Sequence, residues 1–282
     1  MSNDPKEILA TWEESSKYWN KHQASIERMF APLTTALIDA AQIKSGDHVI
    51  DIGGGSGQPS LSIAPIVGNE GSVAYTDPSL GMVETARDAA ARRGLSNIQF
   101  HKAPAHELPL AKDTFDEAVG RLSVMFFPDV EAGLREIIRV VKPGGRVSLL
   151  VWSSKESNPF FSSVTEVLDR FIPPEPEDED APGAFRFAHP RKLANLMAAV
   201  HLTHIEERLF DFKIEAPIKP EEFWELRSEM SDTLRAKLAL LTTDQREAVR
   251  RAVDDSVGKY FATGEMSFPG QARLVTAVVA LD

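Results

Sequence analysis

The chain has 282 residues, a formal net charge of −11 and no cysteine; 43% of it is hydrophobic and 26% charged. That length suits one large globular domain, or one domain with an insertion. The acidic excess argues against a nucleic-acid partner, whose phosphates need a basic face, and the missing thiols exclude disulfides, thiolate zinc sites and cysteine nucleophiles. No apolar run reaches the roughly 18 residues of a membrane span. The opening MSNDPKEILATWEES lacks the basic-then-apolar order of a signal peptide, so a cytoplasmic location is expected. The pairs Arg92-Arg93 and Arg250-Arg251 read as solvated helix faces.

Residues 4–41 read as helical, opened by Asp4 as a capping acid and Pro5 at the first helical position. Strand and helix then alternate. HVIDI (48–52) is a buried-type strand, and a helix is expected from Gly57 to Ile66. SVAYTD (72–77) is a second strand, followed by a helix over 79–94 that Gly94 stops. NIQFHK (97–102) and FDEAVG (115–120) are the third and fourth strands. A helix over 129–141 ends at KPGG (142–145), and RVSLLVW (146–152) is the fifth strand. Beyond 153 the pattern loosens. PPEPEDEDAPG (173–183) is a proline-rich acidic loop, read as a solvated linker or a flap over a pocket. A helix over 189–200, a long strand over 204–214, helix over 219–262 with Thr242 and Gln245 as a capping box, and a closing strand over 272–281 complete the chain.

Short apolar strands alternating with helices predict an α/β fold: a doubly wound, mainly parallel, seven-stranded, Rossmann-like sheet. Three parts are expected. Residues 1–40 form an N-terminal helical cap segment, 41–218 with 263–282 the ligand-binding core, and 219–262 a helical cap insertion.

The densest signal is VIDIGGGSG (49–57). A glycine-rich turn between the first strand and the first helix lets backbone approach a ligand at the carboxyl ends of the strands. The dinucleotide pattern G-x-G-x-x-G would place its third glycine at position 58, which is Gln58. Instead glycines stand at 53, 55 and 57, preceded by Asp51. An acid there would repel a pyrophosphate and welcome an ammonium group. S-adenosylmethionine carries such an ammonium and no phosphate. Asp77, 20 residues past Gly57, ends the second strand where a carboxylate can take both ribose hydroxyls.

With these residues the chain resembles the class I S-adenosylmethionine-dependent methyltransferases, in the small-molecule branch that includes the ubiquinone and menaquinone biosynthesis methyltransferases. The likeness runs from about residue 30 to 152 through VIDIGGGSG, YTDPSLGMVETAR, LPLAKDTFDEAVGRLSVMFF and LREIIRVVKPGGRVSLLVW. It implies S-adenosyl-L-methionine as cofactor, with S-adenosyl-L-homocysteine as product. By position, Asp51, Gly53, Gly54, Gly55 and Gly57 would line the methionine end and Asp77 the ribose. Pro78 and Met82 would lie against the adenine, with Ala105 and His106 at its edge. Arg121 would border the methionine moiety, with Ser123 nearby. The acid that the family often carries shortly after the third strand is replaced by Pro104 here.

Methyl transfer from a sulfonium is an in-line displacement that alignment and water exclusion can drive, so no metal is expected. A base is needed only if the acceptor must lose a proton. His106 and Arg121 are the catalytic candidates, the latter as an electrostatic stabiliser, and each also has a plain reading at the cofactor's edge or in an ion pair. His22 is a further histidine near the predicted mouth and reads as a helix-surface residue. Trp12, Tyr18, Trp19, Phe126, Trp152 and Phe160 are candidate walls of an acceptor pocket, against the alternative of core packing. The expected partner is a small methyl acceptor, apolar or aromatic, methylated at oxygen or carbon; a homodimer stays open. The alternatives are a cofactor-binding regulator without turnover and a nicotinamide-dependent oxidoreductase.

Overall fold

The computed structural model describes residues 4–174 and 178–281. Residues 175–177, inside the proline-rich acidic loop, lie outside the described residues. Three helices open the chain: α1 (Pro5–Lys21), α2 (Gln23–Met29) and α3 (Ala31–Ala41). The Asp4 side chain accepts from the Lys6 amide at 2.9 Å, as a capping acid should. The alternating part follows as β1 (His48–Ile52), α4 (Ser60–Val67), β2 (Ser72–Asp77), α5 (Leu80–Arg92), β3 (Ile98–Lys102), β4 (Phe115–Arg121), α6 (Val130–Val140) and β5 (Val141–Trp152). Then come α7 (Pro159–Leu168), α8 (Lys192–Ala199), β6 (Thr203–Ala216), α9 (Pro220–Met230), α10 (Asp232–Ala239), α11 (Thr243–Val257) and β7 (Met266–Val278).

The seven strands form one sheet in the order β3-β2-β1-β4-β5-β7-β6. Only β7 runs against its neighbours, β5 and β6, so the sheet is mainly parallel, as expected. Strand order reverses at β1, where β2 lies on one side and β4 on the other, and Asp51 is in register with both Tyr75 and Val119. This switch point is where an open α/β sheet leaves a crevice for a ligand.

Several boundaries differ from expectation. The helix expected from Gly57 begins at Ser60, because the glycines stay in a turn that Asp51 closes onto Ser60. The KPGG run, expected only to stop a helix, is taken into β5, which starts at Val141 against Phe115. The helix expected over 219–262 is three helices, broken where Ser231 and Thr242 each cap a new start. The Thr242–Gln245 capping box forms as read. Helix α7 went unread. The closing strand starts at Met266 rather than 272, since β6 and β7 pair as far as Ala216 and Met266, beyond the end of β5 at Trp152.

That β6–β7 extension packs against helices α7 and α9. Phe268 on it is fully buried and meets Phe223 of α9 and Phe160 of α7. The buried core is one continuous cluster, from Ile26, Leu33 and Leu37 through Ile50 and Leu149 to Phe160, Phe223, Val253 and Phe268.

Candidate functional site

The turn after β1 is held by backbone. The Gly53 and Gly54 amides both donate to the Thr76 carbonyl, at 2.9 and 3.0 Å. A Cβ on Gly54 would stand 2.5 Å from the Tyr75 ring, so no side chain fits there. Gly55 is different: its φ is +53°, and nothing lies within 4 Å of where its Cβ would be. Its amide donates to Asp77 Oδ2 at 3.0 Å, and its carbonyl accepts from the Tyr75 hydroxyl at 2.5 Å. The strand ends thus present a bare, fixed peptide with open space on one side.

Two buried carboxylates meet this turn. Asp51 Oδ2 accepts from the Ser60 amide (3.1 Å) and hydroxyl (2.6 Å), while its Oδ1 is buried with no partner. Burial pushes the Asp51 carboxyl up to about 6, against the Ser60 hydrogen bonds and the charge of Arg121. Asp77 accepts from the Ser79 amide on Oδ1 (2.9 Å) and from Gly55 on Oδ2. Burial raises it to about 7, with Asp51 and Glu13 adding to the rise. A ligand bearing further negative charge would deepen this repulsion; one bearing a cation would relieve it.

Met82 is buried at the start of α5, where its amide donates to the capping Ser79 hydroxyl, and Pro78 is half-buried beside it. Ser123 bonds back to the Ile52 carbonyl at 2.6 Å, tying the end of β4 to β1. A Cβ on Gly53 would stand 2.7 Å from Ser123, which is why these strand ends can close up. Ala105 is half-buried, whereas His106 is exposed. Arg121 is half-buried and turned toward α3, donating to Thr34 Oγ1 at 2.8 Å with its Nε unpartnered. Burial lowers its pKa to about 10, opposed by Asp51 and Glu27, so it stays charged at neutral pH.

The aromatic candidates separate into groups. Trp12 meets Phe126 edge-on at 5.1 Å and Trp19 at 6.0 Å, joining α1 to the segment after β4. Trp152 meets Phe30 at 5.6 Å and Phe161 at 4.9 Å. Tyr18 does not join them; it lies under the Arg235 guanidinium at 4.8 Å. Phe160 is fully buried against Phe161, Phe223 and Phe268. His22 is tied to Glu229 at 2.6 Å.

Sequence reasoning missed Glu13. Its carboxylate accepts from the Leu80 amide (2.7 Å), the Gly81 amide (3.1 Å) and the Ser79 hydroxyl (3.0 Å). It thereby covers the start of α5 beside Asp77 and fastens α1 over the strand ends. Gln23 of α2 adds a bond to the Ser56 carbonyl at 2.7 Å. Nothing in TWEESS marks these roles, because the partners lie more than 30 residues away. Surface clefts of about 310 and 340 Å³ lie between α3 and α4 and at the far end of the sheet; neither is lined by Gly55 or Asp77. Among the described residues, no group of three or more histidines or carboxylates could hold a metal ion, and no helix is long and apolar enough to cross a membrane.

Comparison with known proteins matches residues 28–174 to the ubiE/COQ5 methyltransferase family. The chain belongs to that family. The match runs from the end of α2 through α7, and so takes in the glycine turn and both carboxylates of this ubiE/COQ5 member. The uncharacterized protein Rv1405c of Mycobacterium tuberculosis is 36% identical over 127 residues, 45% of each chain. The ubiquinone/menaquinone biosynthesis C-methyltransferase UbiE of Haemophilus ducreyi is 34% identical over 133 residues, 47% of this chain and 50% of that one. The chain therefore spans about half the length of the curated relatives it matches. The crystal structure of YcgJ from Bacillus subtilis superposes with a TM-score of 0.58 at 19% identity, over 88% of this chain and 98% of that one, a likeness of fold.

Proposed function

We propose that this chain transfers the methyl group of S-adenosylmethionine to a small apolar or aromatic acceptor, at oxygen or carbon. The observation that carries the reading is the pair of buried carboxylates at a bare glycine turn. Asp51 Oδ1, buried and unpartnered, suits an ammonium donor. Gly55, with no atom within 4 Å of its absent side chain, leaves room for a ligand against the backbone. Neither feature suits a diphosphate, which weighs against a nicotinamide carrier. The name of the Haemophilus relative weighs toward carbon as the methylated atom.

In this reading Asp51 and the turn from Gly53 to Gly57 hold the methionine end, and Asp77 accepts from the ribose hydroxyls. Pro78 and Met82 pack against the adenine, and Ala105 and His106 stand at its edge. Ser123 and Arg121 border the methionine portion, with Arg121 held by Thr34. The cofactor supplies an electrophilic methyl on sulfur. The protein supplies alignment, able to lower such a barrier by about 7–11 kcal/mol, and a dry wall made by Trp12, Trp19, Phe126 and Trp152. His106 is exposed, so a base is not asked of it.

Calorimetry is expected to show S-adenosylmethionine and S-adenosylhomocysteine binding at micromolar strength and NADH not binding; the reverse pattern defeats the proposal. Gly55→Ala is expected to fold, at a strain of about 1–2 kcal/mol for a Cβ at positive φ. It is also expected to weaken S-adenosylhomocysteine binding at least about tenfold, since its methyl enters the ligand's space. Retained affinity would move the ligand off this turn.

A further inference from the structure

Helix α9 buries a cation that nothing among the described residues neutralises. Arg227 is 5% exposed, and its Nε has no hydrogen-bond partner. Among the described residues it forms no ion pair, and burial alone accounts for the lowering of its pKa to about 10. At neutral pH it remains charged. Its neighbours are rings: the guanidinium carbon stands 4.8 Å from the Phe160 centroid and 4.9 Å from that of Phe161. Glu225 and Glu229, two residues away on either side, face the opposite flank of the helix, where both bind Lys21 and Glu229 also binds His22. Half-buried Arg121 has Asp51 and Glu27 to balance it; among the described residues no acid does this for Arg227.

A buried charge without a counter-ion destabilises a fold, and ring faces return only part of that loss. Such a charge persists where an incoming group completes the pair. The position fits. Phe161 lies between the guanidinium and Trp152, at 4.9 Å from each, and Trp152 ends β5 at the crevice edge. Trp19, on the α1 wall, adds a buried indole N–H that also lacks an acceptor. Among the described residues, this region thus offers donors and aromatic faces, and no carboxylate pairs with Arg227.

We propose that Arg227 binds a carboxylate of the methyl acceptor, so that the substrate is an organic acid with an apolar or aromatic body. A planar guanidinium can pair with a carboxylate through two parallel hydrogen bonds. The inference rests on the methyltransferase reading for the word acceptor, and it narrows that reading to acidic substrates. Arg227 is then a specificity residue, and the reacting atom lies at the other end of the molecule, toward Ser123.

The test compares acids with their neutral amides. Benzoate and 4-hydroxybenzoate, against benzamide and 4-hydroxybenzamide, are titrated into the full-length protein saturated with S-adenosylhomocysteine. The acids are expected to bind at least about tenfold more tightly than the amides, the worth of a charge-assisted hydrogen bond. Arg227→Met is expected to erase that preference, to leave S-adenosylhomocysteine affinity within about twofold, and to leave the free protein as stable or more so. Arg227→Lys keeps part of the preference. Equal binding of acid and amide, no binding of either acid, or a preference that survives Arg227→Met overturns the proposal. So does a preference for phenyl phosphate over both acids. The wild-type comparison decides the matter even if a variant fails to fold. If S-adenosylhomocysteine itself does not bind, the methyltransferase reading falls, and the acid–amide comparison on the free protein still judges Arg227 separately.

Discussion

Asp77→Asn is expected to weaken S-adenosylmethionine binding by about ten- to a hundredfold and to flatten its pH dependence near pH 7, leaving the part that Asp51 sets near pH 6. A hydrogen bond to a charged group is worth about 1.5–3 kcal/mol, which is one to two powers of ten in affinity. The amide keeps the shape and one acceptor, but it turns an NH2 toward either Gly55 or Ser79, whose amides Asp77 now accepts. The pH effect follows from the raised pKa of about 7. Ribose hydroxyls donate to the ionised carboxylate, so wild-type affinity should climb as pH rises through about 7 and level off above it. Stability of the free protein should move the other way. Between about pH 4 and 7 the folded chain holds a proton on Asp77 that the unfolded chain has lost, so unfolding free energy falls as pH rises. Asp51, raised to about 6, adds to the lower part of that slope. Calorimetry and thermal unfolding at about pH 6, 7 and 8 measure both trends. An Asn variant with wild-type affinity, or with the same pH slope, would remove Asp77 from the site.

The donor half of the site was legible because it is local. Asp51 and the glycines sit within seven residues, and Asp77 ends the next strand, so one stretch of sequence spells out the strand, the turn and both carboxylates. The fold was legible for the same reason, since each strand–helix unit is about 25 residues long. What was not legible is built across distance. Glu13 accepts from the Ser79 hydroxyl and the Leu80 and Gly81 amides, 66–68 residues away, and its helix gives it no local signature. Arg227 looks like one more charge in EEFWELRSEM; only packing shows that its face is the buried one. Helix α7 did carry a signal in Asn158 followed by Pro159 at its first position, but its apolar run FF obscures a clean period. The early part of β7 holds Pro269 and Gly270, residue types that are rare inside strands. In the structure that segment pairs only with β6, so the missing proline N–H is left on the side with no partner strand.

That extension carries the second large expectation: Phe268→Ala should destabilise the protein by about 3–5 kcal/mol, the usual loss for a buried phenyl ring. Phe268 is fully buried at the centre of a ring cluster. It stacks on Tyr260 at 4.1 Å and Phe223 at 5.1 Å, and meets Phe160 edge-on at 5.7 Å. These partners come from three separate elements, so no single side chain can swing in to refill the space. For a chain of this size each kcal/mol moves the melting temperature by about 2–4 °C, and the fall should be on the order of 10 °C. One shifted transition is expected, because the core cluster runs unbroken from the sheet into the cap. Affinity for S-adenosylhomocysteine should hold within about twofold in the folded protein, since no ring in the cluster touches Asp51, Gly55 or Asp77 and distant sites act independently. Acid binding should weaken, because Phe160 is at once a partner of Phe268 and one of the two rings under Arg227. A separate early transition with the main one unmoved would mean instead that residues 219–262 fold apart from the sheet. A loss below about 1 kcal/mol would mean that the cluster repacks freely, as loosely ordered aromatic cores do.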